Sequence, residues 1–278
     1  MVFHVLKYFT PLLIGNSIVT ATSDNGVGGD VKVLGDKVGL MDMASIDVSG
    51  QIGGGTILIG GDQQGLNPDV QNATFTYVGQ DATVKADAIE DGDGGKVIVY
   101  AEDTARIYGQ LSARAGAIGG DGGFIETSGK QGFQITRTPD IRAPNGQGGT
   151  WLIDPRDIDI VSGGGNSNIN TTSPFIPTGN NATLGVDLIE GALTPNSTVL
   201  VTTSGSGSQN GVIDWTGSAT LNLSESNIGA GNIATLTLHA ADDIIIDGTI
   251  GGTVSGFASD GEDELCKTML LPWTELPP

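Results

Sequence analysis

Carboxylates are the chemistry-bearing side chains that this sequence offers in quantity. There are 32 Asp+Glu against 12 Lys+Arg, two histidines (His4 and His239) and one cysteine, Cys266. A zinc site or a Ser-His-Asp triad has almost no material to work with, and a lone cysteine closes no internal disulfide. One glycine-rich stretch, residues 119–155, supplies the candidate carboxylates Asp121, Glu126 and Asp154. Two of them brought together would suit acid–base or nucleophilic attack on a polysaccharide, the reaction that paired carboxylates perform in glycosidases. The competing reading is structural. Glu126 stands in an alternating run, FIET, and is expected at a solvent-facing strand position. Asp154 precedes Pro155 and is expected to close a strand as a turn residue. No compact Asp/Glu/Arg/Lys constellation is visible in the sequence. No catalytic residue is therefore assigned, and the chain is expected not to be an enzyme.

Other patterns give less. The acidic turns Asp91-Gly92-Asp93-Gly94-Gly95 and Gly119-Gly120-Asp121-Gly122-Gly123 look like calcium-binding glycine–aspartate repeats, but those work as tandem nine-residue periods. A spacing near 28 residues cannot pool oxygens in that way, and Asp in a turn accepts backbone N–H groups. No metal and no cofactor are expected. Ser128–Gln131 (SGKQ) lacks the G-x-x-x-x-G-K-[ST] pattern of a phosphate loop. N-x-[ST] at Asn72, Asn170, Asn181, Asn196 and Asn222 is expected by chance in a chain so rich in Thr, Ser and Asn. Trp151 follows a glycine corner and is read as a core residue rather than a carbohydrate platform.

The elements that position these residues repeat. Double glycines followed by β-prone runs occur at Gly28-Gly29 (DVKV), Gly54-Gly55 (TILI), Gly94-Gly95 (KVIV), Gly122-Gly123 (FIET) and Gly148-Gly149 (TWLI, closed by Asp154-Pro155). Counted from Gly29, Gly55, Gly95, Gly123 and Gly149, the steps are 26, 40, 28 and 26 residues. The long step contains GGDQQGLNPDVQNATFTYVGQ, an inserted loop or small hairpin. The glycines are expected at sharp corners, with Gly123 at positive φ. Period-2 strands recur between the corners, from Ala44, Ala82 and Ala105. The reading is an all-β chain, a right-handed parallel β-helix with about 26–28 residues per glycine-marked repeat. Val31, Ile57, Val97, Ile125 and Trp151 should form one core ladder. Lys32, Leu58, Ile98, Glu126 and Leu152 should face outward, part solvated and part covered.

Composition agrees. With 45 glycines and 5% aromatics, the core must stack small and β-branched side chains, as solenoids do. The net charge of −20 argues against nucleic acid and against docking on anionic lipid. No stretch reaches the ~20 apolar residues of a membrane helix, so no membrane insertion is expected. Residues 1–24 form an apolar segment, read as a truncated start or a weak signal peptide. Repeats fill 25–160, a Gly/Asn/Ser/Thr-rich surface loop 161–183, and continued β-helix 184–255, with one short helix over Leu184–Leu193. Residues 256–278 read as an irregular tail.

The blocks GGFIETSGK and GTWLIDP resemble the repeat region of filamentous-haemagglutinin-like exoproteins of the two-partner secretion pathway. So do GGGTILIGGDQQG before them and the VDLIEGALTPNSTVLVTTSG, GVIDW and TLTLHAADDIIIDGTI runs after them, over residues 25–255. That resemblance implies a right-handed parallel β-helix and a secreted or cell-surface location. It implies a role as adhesin stalk or contact surface, an outer-membrane transporter as export partner for the full-length protein, and a surface receptor or glycan as ligand. No secretion domain and no C-terminal effector is recognised, so the chain reads as a middle fragment. The alternative is a β-helical lyase or hydrolase.

Overall fold

The computed structural model describes residues 2–3, 10–163, 175, 182–205, 209–222, 228–229, 232–250, 258–259 and 265–272. The chain winds as a right-handed parallel β-helix. The strands after the five double glycines, Asp30–Val33, Thr56–Ile59, Lys96–Ala101, Phe124–Gly129 and Thr150–Ile153, are consecutive parallel neighbours in the largest sheet. Thr198–Thr202 and Ile233–Ala240 extend it. A second sheet stacks Leu12–Leu13, Lys37–Leu40, Phe75–Val78, Thr104–Ile107 and Gly132–Ile135. A third stacks Ile18–Thr20, Ser45–Asp47, Thr83–Lys85 and Gln110–Ser112. Each early coil passes from the third sheet, through a glycine corner, to the first and second sheets and back. Later coils continue through Ile158–Val161, Ala182–Gly185, Ile213–Trp215 and Ile244–Ile246. The short helix is Val186–Ala192. Most of the proposed 161–183 loop lies outside the described residues.

Alternation decides which side chains enter the core. Val31, Ile57, Val97, Ile125 and Trp151 share one register and are fully buried, and the row continues into Val199 and Leu236. Each such aliphatic contributes about 1.5–3 kcal/mol on burial. Trp151 is a core residue, and its indole Nε1–H donates to Thr127 Oγ1 at 2.9 Å, one coil away. That bond satisfies both polar groups inside an apolar stack.

The glycine corners work for a different reason from the one expected. Gly123 does not adopt positive φ, nor do Gly29, Gly55, Gly95 and Gly149. What bars a side chain is the coil beneath. A Cβ on Gly123 would overlap the carbonyl oxygen of Gly95, one on Gly149 that of Gly123, and one on Gly95 that of Gly55. Coils pack backbone on backbone at this edge, and Pro155 is buried just past the fifth strand.

Two further expectations change. The outward row is covered further than expected: Leu58, Ile98, Glu126 and Leu152 are buried, and Lys32 is half-buried. The cause is the 40-residue step, because residues 60–73 fold back across the outer face of the first sheet. There Leu34, Leu58, Val70, Ile98 and Tyr100 make a second, smaller core with Phe124 at its margin. The tail is not irregular throughout, since Leu265–Pro272 pairs antiparallel with Ile233–Ala240. At the other end Val2–Phe3 pairs with Lys32–Val33, and Ile18–Thr20 of the apolar segment is already a strand of the third sheet.

Candidate functional site

Glu126 and Asp154 meet beneath the 60–73 loop. Glu126 is the third residue of the Phe124–Gly129 strand, flanked in register by Ile98 and Leu152. Its side chain points away from the main core yet is 0% exposed, so it is not the solvent-facing position expected of it. Asp154 follows Ile153 one coil further on. Its backbone N–H donates to Ser128 Oγ at 3.2 Å, which holds the turn against the neighbouring strand.

Gln64 joins the two. It sits in a short 3-10 turn, Gln63–Gly65, opened by Asp62, whose Oδ1 accepts from Gln63 N at 2.8 Å. Gln64 has φ 54°, ψ 13°, a left-handed conformation that a non-glycine residue adopts at a cost of about 1–2 kcal/mol. The turn presents its backbone N–H to both carboxylate oxygens of Glu126, each at 3.0 Å. The side-chain Nε2 of Gln64 donates to Asp154 Oδ2 at 3.1 Å. Lys130 Nζ lies 2.6 Å from the same oxygen and donates to Ser204 Oγ at 3.1 Å.

The loop is tied along its length. Lys96 Nζ reaches Asp62 Oδ1 at 3.4 Å, and Asn67 Nδ2 donates to Asp62 Oδ2 at 2.8 Å. Asn72 Nδ2 donates to Glu102 Oε1 at 2.8 Å and to Gly65 O at 2.9 Å, while Tyr100 O–H donates to Glu102 Oε1 at 3.0 Å. The loop leaves the Thr56–Ile59 coil and grips Lys96 and Glu102 on the next, Glu126 on the third and Asp154 on the fourth. It is a staple across four coils.

Electrostatics follow burial. Glu126 is pushed up to about 7, chiefly by desolvation, with the nearby Asp154 charge adding to it; Ser128, Gln64 N–H and Lys130 pull the other way. Burial raises the Tyr100 phenol, helped by Glu102. Burial alone would raise Asp62 too, but hydrogen bonds from Asn67 and Gln63 and the Lys96 charge hold it below its ordinary value. A carboxyl poised near neutrality beside a second carboxylate is the raw material of general acid catalysis. In this arrangement both Glu126 oxygens and Asp154 Oδ2 are engaged by the protein's own loop and lysine.

Asp121 lies apart, exposed in a glycine turn. Its N–H donates to Asp93 Oδ1 at 2.7 Å, and its Oδ1 accepts from Gln147 N at 2.8 Å. The acidic turns thus hold one another coil to coil through backbone N–H groups. Among the described residues no three His, Cys, Asp or Glu are grouped to hold a metal ion. Gln64, Lys130, Tyr100 and Glu102 are absent from the sequence-derived candidates. The long glycine step is the signal that points to Gln64, and Lys130 sits in the SGKQ segment, which lacks the phosphate-loop pattern. No protein-family model matches the chain, and no curated protein matches it.

Proposed function

We propose that this chain is a non-enzymatic β-solenoid segment of a filamentous-haemagglutinin-like exoprotein, acting as an adhesin stalk or contact surface outside the cell. One observation supports the non-enzymatic half: the two carboxylates best placed for polysaccharide chemistry are buried under a loop, with both Glu126 oxygens held by Gln64 and Asp154 Oδ2 by Gln64 and Lys130. The uninterrupted parallel stacking of the first sheet, from Asp30–Val33 to Ile233–Ala240, supports the stalk half, since a solenoid of stacked coils is an elongated spacer by construction. In the full-length protein an outer-membrane transporter of the two-partner kind would export it, and a surface receptor or glycan would be its ligand.

Two measurements test this. Antibody against the chain should label intact cells or culture supernatant of the source organism; labelling that appears only after lysis overturns the surface assignment. Incubation with neutral and acidic polysaccharides should release no reducing ends and no unsaturated products. Turnover that disappears in Glu126→Gln would assign the chain to the β-helical lyases or hydrolases instead.

A further inference from the structure

The ion pair under the staple is placed for a reaction as well as for attraction. Lys130 Nζ lies 2.6 Å from Asp154 Oδ2, with the two side chains only 12% and 2% exposed. Lys130 follows the Phe124–Gly129 strand and Asp154 follows Thr150–Ile153, so the pair joins adjacent coils, 24 residues apart in the chain. Each partner is held from a second direction. Ser204 Oγ accepts another N–H of Lys130 at 3.1 Å, and Gln64 Nε2 donates to Asp154 Oδ2 at 3.1 Å. The Asp154 backbone N–H is fixed in turn on Ser128 Oγ.

The surroundings are dry. Glu126, close enough to respond to both charges, is fully buried and is pushed up to about 7, chiefly by desolvation. Tyr100, whose phenol responds to Asp154 and Glu126, is buried too. In such a site isolated charges give way to neutral forms. Passing one proton along the 2.6 Å contact turns the ammonium and the carboxylate into an amine and a carboxylic acid, a nucleophile against its own electrophile. The other ion pair of the staple, Lys96 with Asp62, is longer at 3.4 Å and wetter, its side chains 35% and 19% exposed.

An amine and an acid free in dilute water do not condense to an amide. Groups held in the reacting geometry behave as if at about 10⁵–10⁸ M, which reverses that balance. A turn of the flexible lysine stem carries Nζ over Asp154 Cγ, at roughly the 3–3.5 Å of a near-attack contact. We propose that Lys130 and Asp154 condense after folding into an intramolecular isopeptide bond that ties the two coils covalently. Nζ forms a bond to Cγ, and the bond from Cγ to Oδ2 breaks. Two of the three ammonium protons end on Oδ2, which departs as water past the exposed Ser204. The third proton stays on the amide nitrogen, and Oδ1 becomes the amide carbonyl oxygen. One positive and one negative charge are lost together, and no oxidant or co-reactant is consumed.

The test uses the full chain, incubated in native buffer until its mass is constant. Intact mass spectrometry should find the wild type lighter than its sequence by one water. Trypsin should no longer cut after Lys130, so that residues 115–137 are recovered branched to residues 143–156, whereas cleavage after Lys96 proceeds. Lys130→Arg keeps a cation opposite Asp154, but its guanidinium stays protonated and cannot attack, so this variant should keep its full mass. Wild type held in urea from the moment of purification, where the two coils are apart, should react at least tenfold more slowly. A wild type of unchanged mass with Lys130 still cleaved overturns the proposal. So does water loss mapped to an Asp-Gly pair such as Asp121-Gly122, the mark of a succinimide. Water loss that persists in Lys130→Arg, or that proceeds equally fast in urea, overturns it as well.

Discussion

The backbone N–H of Gln64 is shared between the two carboxylate oxygens of Glu126, 3.0 Å from each, across 62 residues of sequence. Removing the acceptor leaves a buried donor unmade, which costs about 1–3 kcal/mol. Glu126→Ala is expected to lower stability by that amount in urea melts. It should also speed proteolytic cleavage within residues 60–73 before the rest of the chain opens. Unchanged cleavage would mean that the apolar contacts of Val70 hold the loop unaided.

The same residue sets a pH dependence. Its folded value of about 7 lies above the 4.5 of the free side chain. A group raised on folding contributes stability that is fully present below its unfolded value and is lost as pH rises through its folded value. Wild type should therefore lose stability relative to Glu126→Gln between about pH 4.5 and pH 7, by on the order of 3 kcal/mol over the whole window. Paired urea melts at several pH values read the difference; parallel curves for the two proteins would refute it.

The glycine edge predicts a contrast between identical substitutions. Gly123→Ala drives a methyl group into the carbonyl of Gly95 and should cost about 3 kcal/mol or more. Gly217→Ala meets only ordinary contacts with Asp247, 3.7 and 3.8 Å away, and should change stability by less than about 1 kcal/mol. Thermal melts of the two variants side by side are the check.

Lys130 and Asp154 form an ion pair with little solvent access, their side chains 12% and 2% exposed. Lys130→Met leaves Asp154 buried and unpaired, at a cost of about 3–5 kcal/mol. Adding Asp154→Asn should recover most of that loss. A double-mutant cycle measures the coupling, and strictly additive losses would show that the pair does not interact.

The main core was legible because alternation and the glycine register together assign each strand residue to a side. Val31, Ile57, Val97, Ile125 and Trp151 followed from that rule alone. The rule is silent about what lies over the outer side, so Glu126 read as solvated although the turn at Gln64 covers it. The 40-residue step revealed an insertion between Ile59 and Phe75 but not its path, which depends on contacts up to three coils away. Gly123 was expected at positive φ, whereas what crowds it is the carbonyl of Gly95, and close approach between coils leaves no trace in a single repeat. In the tail, the apolar run LCKTMLLP had no period to read, yet an open sheet edge pairs with any extended backbone.

The staple formed by residues 60–73 has a mechanical consequence. In a β-helix the bonds between coils run along the axis, so tension on that axis peels one coil at a time and each rupture is small. Where Asp62, Gln64 and Asn72 reach onto the three coils that follow their own, those coils cannot part from it singly. Under load the segment from Thr56 to Asp154 should yield as one block, a single large extension set among many short ones.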